Sequence, residues 1–303
     1  MVSVSTIKAS NSKYAPSFRP VIVVFGGTSG IGSGLVRAFA HHVPPQTGAH
    51  IIIVGRSKQS ADSIIASLPA NANSKYDFVQ VDAVVIRNLR TAIREQLFGT
   101  LGLTKINYLV LSQGAIDLDA TKRTSEGIHP TVSLAVYGRI RAALDLAPLV
   151  QAAAALGEDA RVMTVAKPAW GGPVDLDDIN LEKKGLAYIR AAMITYTDIA
   201  VLELAKQFPE LAFIHADPGF VKSGLTRGLP PWMRRLYGVM EWVAAMSADD
   251  SGERIMSMLV DPACSKGAFA RDENNKPVKP VKWAEDEKTR NAVWKYLVER
   301  SNL

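Results

Sequence analysis

The clearest chemistry in this 303-residue sequence lies where a β-branched run ends in a cluster of glycines. Val21-Ile22-Val23-Val24-Phe25 is followed at once by Gly26-Gly27-Thr28-Ser29-Gly30-Ile31-Gly32, and beyond it Ile31, Leu35, Ala38 and Phe39 recur with the period of one helix face. A strand that enters a glycine turn and then a helix lets backbone approach a pyrophosphate unobstructed by Cβ atoms, and the first turn of the helix supplies unpaired N–H donors. Gly26, Thr28, Ser29, Gly30, Ile31 and Gly32 are therefore read as a phosphate cradle.

A second site residue follows the next strand-like run, which ends Val54-Gly55-Arg56-Ser57-Lys58. In a Rossmann arrangement this point meets the adenosine ribose. A carboxylate here accepts from both ribose hydroxyls and favours NAD, whereas Arg56, helped by Ser57 or Lys58, matches a 2′-phosphate. The expected cofactor is NADP(H); the competing reading of Arg56 is a solvated loop arginine.

Strand-like runs at 50–54, 76–81, 108–111, 161–165, 212–215 and 267–270 alternate with helical patterns at 61–67, 87–98, 126–156, 186–207 and 249–259. Such alternation implies βαβ crossovers, and so an α/β Rossmann-type doubly wound parallel sheet of about seven strands flanked by helices. A hydrophobic fraction of 48% and a charged fraction of 21% are those of a globular chain. Residues 20–303 are read as one nucleotide-binding domain closed by a C-terminal helix, with 1–19 as a loose polar arm. The net charge of +6 is dispersed, so nucleic acid is not an expected partner. Cys264 is the single cysteine, which excludes an internal disulfide and points to a cytoplasmic chain with no transmembrane segment. No metal site is expected.

Between residues 20 and 270 the sequence resembles the short-chain dehydrogenase/reductase family. Gly26, Gly30 and Gly32 match its T-G-x-x-x-G-x-G glycines, with Phe25 at the threonine place. Asp82 resembles the aspartate at the adenine, Leu111-Ser112-Gln113-Gly114 lies where the family has N-N-A-G, and Asp217-Pro218-Gly219 looks like its P-G turn beside the nicotinamide. The resemblance implies strand order 3-2-1-4-5-6-7 and cofactor contacts from Asp82, Gln113, Gly114, Pro218 and Gly219. It also implies association of copies through the long helices before strands five and six, so a homo-oligomer is possible.

The family's proton-handling residues are not where the resemblance puts them. Aligned on Ala191-Ala192 and Glu203-Leu204-Ala205, the tyrosine place holds Leu186 and the lysine place Arg190; the serine place falls at about Lys167 and the asparagine place near Ala135. No tyrosine in the chain has a lysine four positions later. Leucine donates no proton, and arginine is a poor acid although it can hold a ribose or an anion. Tyr137, on the helix after the fourth strand, and Lys167 are the candidate replacement donors, with Arg190 a cofactor contact. Lys167 reads equally as an exposed loop lysine. Trp170 reads as an aromatic wall of the substrate pocket or as a packing residue, and the apolar stretch 225–246, with Trp232, as a substrate lid or as a helix lying on a membrane surface.

The sequence style, including His215-Ala216-Asp217-Pro218-Gly219-Phe220-Val221, resembles a divergent fungal branch of the family associated with specialised metabolism. Three functions follow as expectations: an NADPH-dependent reductase of a bulky hydrophobic carbonyl or imine, a non-redox isomerase or cyclase that keeps the cofactor as scaffold, and an inactive nucleotide-binding protein.

Overall fold

The computed structural model describes residues 2–222 and 245–303. Seven parallel strands form one sheet in the order β3-β2-β1-β4-β5-β6-β7. They are β1 (Val21–Phe25), β2 (His50–Gly55), β3 (Lys75–Gln80), β4 (Tyr108–Leu111), β5 (Arg161–Val165), β6 (Ala212–Ala216) and β7 (Gly267–Arg271). Both faces of the central strands are buried, which is why the sequence shows continuous apolar runs there and not alternation. Along β1, Val23 and Phe25 join the core beneath α4 (Ile86–Ala92) and α6 (Gly138–Ala155), whereas Ile22 and Val24 join the core beneath α2 (Gly30–His42) and α3 (Lys58–Ser67). The strand order reverses between β1 and β4, so the crevice above their C-terminal ends is the place for a ligand in such a sheet.

The N-terminal segment corrects the expectation of a loose arm. It contains α1 (Val4–Asn11), capped by the Ser3 side chain and docked on α8 (Ala248–Leu259). The Asn11 amide donates to the Glu253 carbonyl at 2.9 Å and to Glu253 Oε2 at 2.7 Å, and Arg254 donates to the Val2 carbonyl at 2.9 Å. Further along, the Tyr14 hydroxyl donates to that of Tyr108, and Tyr108 in turn donates to Asp159.

The helical pattern expected from residue 126 begins only at α5 (Pro130–Val132), capped by His129. Glu126 lies outside it and does a different job: its buried carboxylate accepts from the backbone N–H of Ile86 at 2.8 Å and of Arg87 at 3.0 Å, capping α4. Between α5 and α6 the backbone runs through a π-helical stretch, Ser133–Tyr137.

At the C-terminus, α9 (Lys282–Glu285) and α10 (Glu287–Ser301) fold back over α6 and α7 (Leu186–Gln207). Val281, Ala284, Val293 and Leu297 bury the apolar face made by Val136, Ile140, Tyr196 and Ile199. Arg290 binds Glu203 at 2.7 Å, and the Val281 N–H donates to Asp198, whose other oxygen meets His215 Nδ1 at 2.6 Å. The long-helix surface that the family resemblance assigns to association between copies is thus occupied by the chain's own end. No helix among the described residues is long and apolar enough to cross a membrane.

Candidate active site

The glycine loop is shaped by two close approaches. Gly26 has φ +78°, and a Cβ there would lie 2.8 Å from the backbone nitrogen of Gln113. A Cβ on Gly32 would lie 2.5 Å from the Gly26 carbonyl oxygen and 2.7 Å from Ser112 Oγ. Side chains at either position would fill the groove between β1 and β4. Ser29 is the N-cap of α2, but its side chain makes no capping bond, so the first-turn N–H groups of α2 face the loop without a side-chain acceptor. Thr28 packs on Gly55 at the end of β2 and fixes the loop against that strand.

Arg56 is exposed just beyond β2, and no acidic side chain among the described residues pairs with its guanidinium. Its expected helpers are engaged elsewhere. Lys58 binds both oxygens of Asp62 at 2.9 and 2.8 Å, and Ser57 caps α3 by accepting from the Ser60 N–H. The charge left for a 2′-phosphate is that of Arg56 itself. Asp82 lies exposed after β3, its carboxylate accepting from the Val84 N–H at 3.2 Å.

Gln113, two residues beyond β4, is 6% exposed, and neither end of its carboxamide has a hydrogen-bond partner. A buried amide left unpaired beside a glycine groove fits a polar ligand lying there. The Gln113 carbonyl is held by Arg139, whose Nε and Nη2 donate to it at 3.1 and 2.7 Å while Nη1 donates to the Thr164 hydroxyl at 2.9 Å and to the Val165 carbonyl at 2.8 Å. Burial alone pushes the Arg139 guanidinium down to about 10, since no carboxylate among the described residues offsets it. Sequence reasoning assigned Arg139 no role; the signal was a charged residue at an otherwise apolar helix position.

Tyr137 is not at this edge. It is 0% exposed, packed in the apolar cluster under α10, and its hydroxyl donates to Asn180 at 3.2 Å. Burial pushes its phenol far above the ordinary tyrosine range. The donor role expected for it is therefore corrected: a side chain sealed beneath the C-terminal helices does not reach a ligand above the sheet. Leu186 opens α7 and Arg190 lies one turn further on, exposed.

Lys167 and Trp170 stand on the loop after β5, Lys167 Nζ lying 4.0 Å from the centre of the Trp170 ring. Pro218 and Gly219 (φ +74°) form the turn after β6, and the Gly219 N–H donates to Asp217 Oδ1 at 2.9 Å. Burial pushes the Asp217 carboxyl above the usual carboxylate range; the Gly219 hydrogen bond and the nearby Lys167 charge pull it back. The C-terminal edge of the sheet thus gathers the glycine cradle, Arg56, Asp82, Gln113, Gly114, Lys167, Pro218 and Gly219. The expected lid and Trp232 lie outside the described residues, apart from its last two positions, Ala245 and Met246, the second of which bridges to Val221.

A glycine turn opening onto a helix N-terminus at a strand-order reversal, on a seven-stranded parallel sheet, defines a Rossmann-type fold of short-chain dehydrogenase/reductase architecture. No protein-family model matches the sequence. The chain is 30% identical over 267 residues to the oxidoreductase andH of Emericella variicolor, spanning 87% of this chain and 76% of that one. It is 29% identical over 264 residues to an oxidoreductase of Emericella nidulans, covering 84% of this chain and 75% of that protein. The chain belongs to this oxidoreductase family. Among solved structures, the Pseudomonas aeruginosa RhlG/NADP active-site complex superposes with a TM-score of 0.62 at 16% identity, covering 85% of this chain and 95% of that one.

Proposed function

We propose that the protein is an NADP(H)-dependent reductase of a bulky hydrophobic carbonyl or imine in specialised metabolism, using a proton donor unlike the family's tyrosine. The observation that carries this reading is the pairing of an open α2 N-terminus with an exposed Arg56 at the end of the neighbouring strand. The first receives a pyrophosphate, the second a 2′-phosphate, and Gln113, Gly114 and the Pro218–Gly219 turn lie between these and the reacting end. A reduced nicotinamide held there supplies hydride. The chain's own residues exclude water, orient the substrate and deliver the proton, and of Tyr137 and Lys167 it is Lys167 that stands on the ligand edge of the sheet. Exposed Trp170, Leu176 and Phe220 on the loops after β5 and β6 favour an apolar substrate. The relatives andH and RhlG support the oxidoreductase class and the nucleotide, respectively.

The test combines calorimetry with NADPH and NADH and single-turnover NADPH oxidation against aryl ketones and cyclic imines. Lys167→Met is expected to slow turnover by roughly 10²–10⁴-fold without weakening NADPH binding. Tight NADPH binding with substrate conversion but no NADPH oxidation would establish the second reading, a non-redox isomerase or cyclase, which Leu186 and Arg190 at the tyrosine and lysine places favour.

A further inference from the structure

A cleft of about 490 Å³ opens beside α4 and shares no residue with the glycine groove or with the loops after β5 and β6. That volume lies within the range of small-molecule sites. Its walls come from α4 and the helical turns that continue it, from Asp145 of α6 and from Leu303 beyond α10. Arg87, Arg90 and Arg94 recur at i, i+3 and i+7, which is one face of a helix, and all three line the cleft. From Ile93 to Thr100 the winding is π-helical, a form that is rare and concentrated at functional sites, and it carries Arg94 and Phe98 into the wall. The chain turns back after β3, so Arg87 lies toward the C-terminal edge of the sheet and Phe98, 38% exposed, toward the opposite edge. One end of the cleft is therefore cationic and the other aromatic.

The positive charge is not cancelled from within. Asp145 is the single acidic side chain among the described lining residues, and two guanidiniums already share it: Arg90 Nε at 3.5 Å and Arg141 Nη2 on its other oxygen. Arg90 also donates to the Leu303 carbonyl at 3.1 Å, so its fork is engaged. Arg87 and Arg94 are different. Arg87 Nε lies 3.8 Å from Glu126, beyond hydrogen-bonding distance, and that carboxylate already accepts from the N–H groups of Ile86 and Arg87. Arg94 meets Glu95, its exposed neighbour in sequence, at 3.3 Å. An exposed pair of this kind contributes little, so a ligand anion displaces it readily.

We propose that this cleft binds a small phosphate monoester with an apolar body, its phosphate held by Arg87 and Arg94 and its apolar part laid against Ile93 and Phe98. The two arginines stand about 10 Å apart along the helix axis, a separation that two extended side chains close from either side of one group. A phosphate monoester offers three oxygens and up to two charges, enough for two guanidinium forks, whereas a carboxylate satisfies one fork and leaves the other free. The site does not depend on the reductase reading.

Isothermal titration of the full chain with n-octyl phosphate, with inorganic phosphate and with vesicles containing phosphatidate tests the assignment. Arg87→Ala and Arg94→Ala are each expected to weaken n-octyl phosphate binding by roughly tenfold, the lower end for a charge-assisted bond at a screened site. Arg56→Ala, at the nucleotide groove, is expected to leave it unchanged. Phe98→Ala is expected to weaken n-octyl phosphate but not inorganic phosphate. Both arginines are exposed and Glu126 keeps its two backbone donors without Arg87, so these variants retain the fold. Absence of n-octyl phosphate binding overturns the proposal, as does full affinity in both arginine variants. Loss of binding in Arg56→Ala overturns it by placing the ligand in the nucleotide groove. Equal affinity for n-octyl and inorganic phosphate reduces the cleft to a bare anion site, and binding to the vesicles without binding to free n-octyl phosphate makes the face a membrane contact; either result refutes the small-ligand assignment.

Discussion

Replacing Arg56 by alanine separates recognition of the 2′-phosphate from recognition of the rest of the dinucleotide. Arg56 is exposed, and no carboxylate among the described residues pairs with it, so its removal breaks no internal ion pair and strands no buried partner. Its neighbours do not substitute for it: Lys58 is held by Asp62 through two hydrogen bonds, and the Ser57 hydroxyl is spent on the start of α3. A charge-assisted hydrogen bond is worth about 1.5–3 kcal/mol, and solvent screening at an exposed site places Arg56 near the lower end. At about 1.4 kcal/mol per factor of ten, NADPH affinity should fall by roughly tenfold while NADH affinity stays the same. Isothermal titration of wild type and Arg56→Ala with both cofactors measures this directly. The wild-type preference for NADPH should also shrink as salt is raised, because the contact is ionic. Equal losses for NADPH and NADH, or a wild-type preference indifferent to salt, would refute the assignment of Arg56 to the phosphate.

Gly32→Val places a branched side chain against the Gly26 carbonyl and Ser112 Oγ, both already within 2.7 Å of an ideal Cβ, so NADPH binding should be lost. The fold itself should weaken by about 1–3 kcal/mol in urea titration, as overpacking usually does. Tyr137→Phe removes the hydrogen bond to Asn180 and should cost about 1 kcal/mol of stability with no change in single-turnover rate. Burial disfavours the Glu253 carboxylate, yet hydrogen bonds from His42 and Asn11 and the charge of His42 outweigh it and hold the group below the ordinary glutamate range. A depressed carboxyl contributes stability that is complete above its unfolded pKa and lost as pH falls through its folded value. Hydrogen exchange of α1 amides should therefore accelerate on acidification through and below the usual glutamate range, and Glu253→Gln should abolish that step.

The sheet was legible because strands buried on both faces read as apolar runs: β1 and β4 are apolar throughout, and β2, β5 and β6 are interrupted only by His50, Arg161, Thr164 and His215. The glycine turn between β1 and α2 was legible for a related reason: Gly26 and Gly32 stand where any Cβ collides with backbone or with a neighbouring hydroxyl, so composition reports geometry. The N-terminal helix was not legible. An eight-residue polar helix has little stability of its own, and α1 is held by Glu253 and Arg254, more than two hundred residues away in sequence. Tyr137 was misplaced for a local reason: the π-helical stretch Ser133–Tyr137 inserts extra residue per turn, so the face extrapolated from a regular helix is rotated there.

Arg139 explains how the edge above β4 and β5 keeps its shape. The last residues of β4 and β5 to pair with each other are Leu111 and Thr164; beyond them the two segments diverge, one running through Gln113 along the glycine groove and the other, after Val165 pairs with Ala216, into the Lys167 turn. A single guanidinium joins them, accepted by the Gln113 and Val165 carbonyls and the Thr164 hydroxyl. Its planar fork spans acceptors on two strands at once, which the single ammonium of a lysine does not. Because the acceptors are neutral, no carboxylate among the described residues cancels the positive charge; it stays at the edge where, on the reductase reading proposed above, negative charge would develop on a substrate oxygen. On the reductase reading proposed above, Arg139 thus ties the groove assigned to the cofactor to the loop that carries Lys167, the proposed donor, and it brings to that edge the same sign of charge as Lys167.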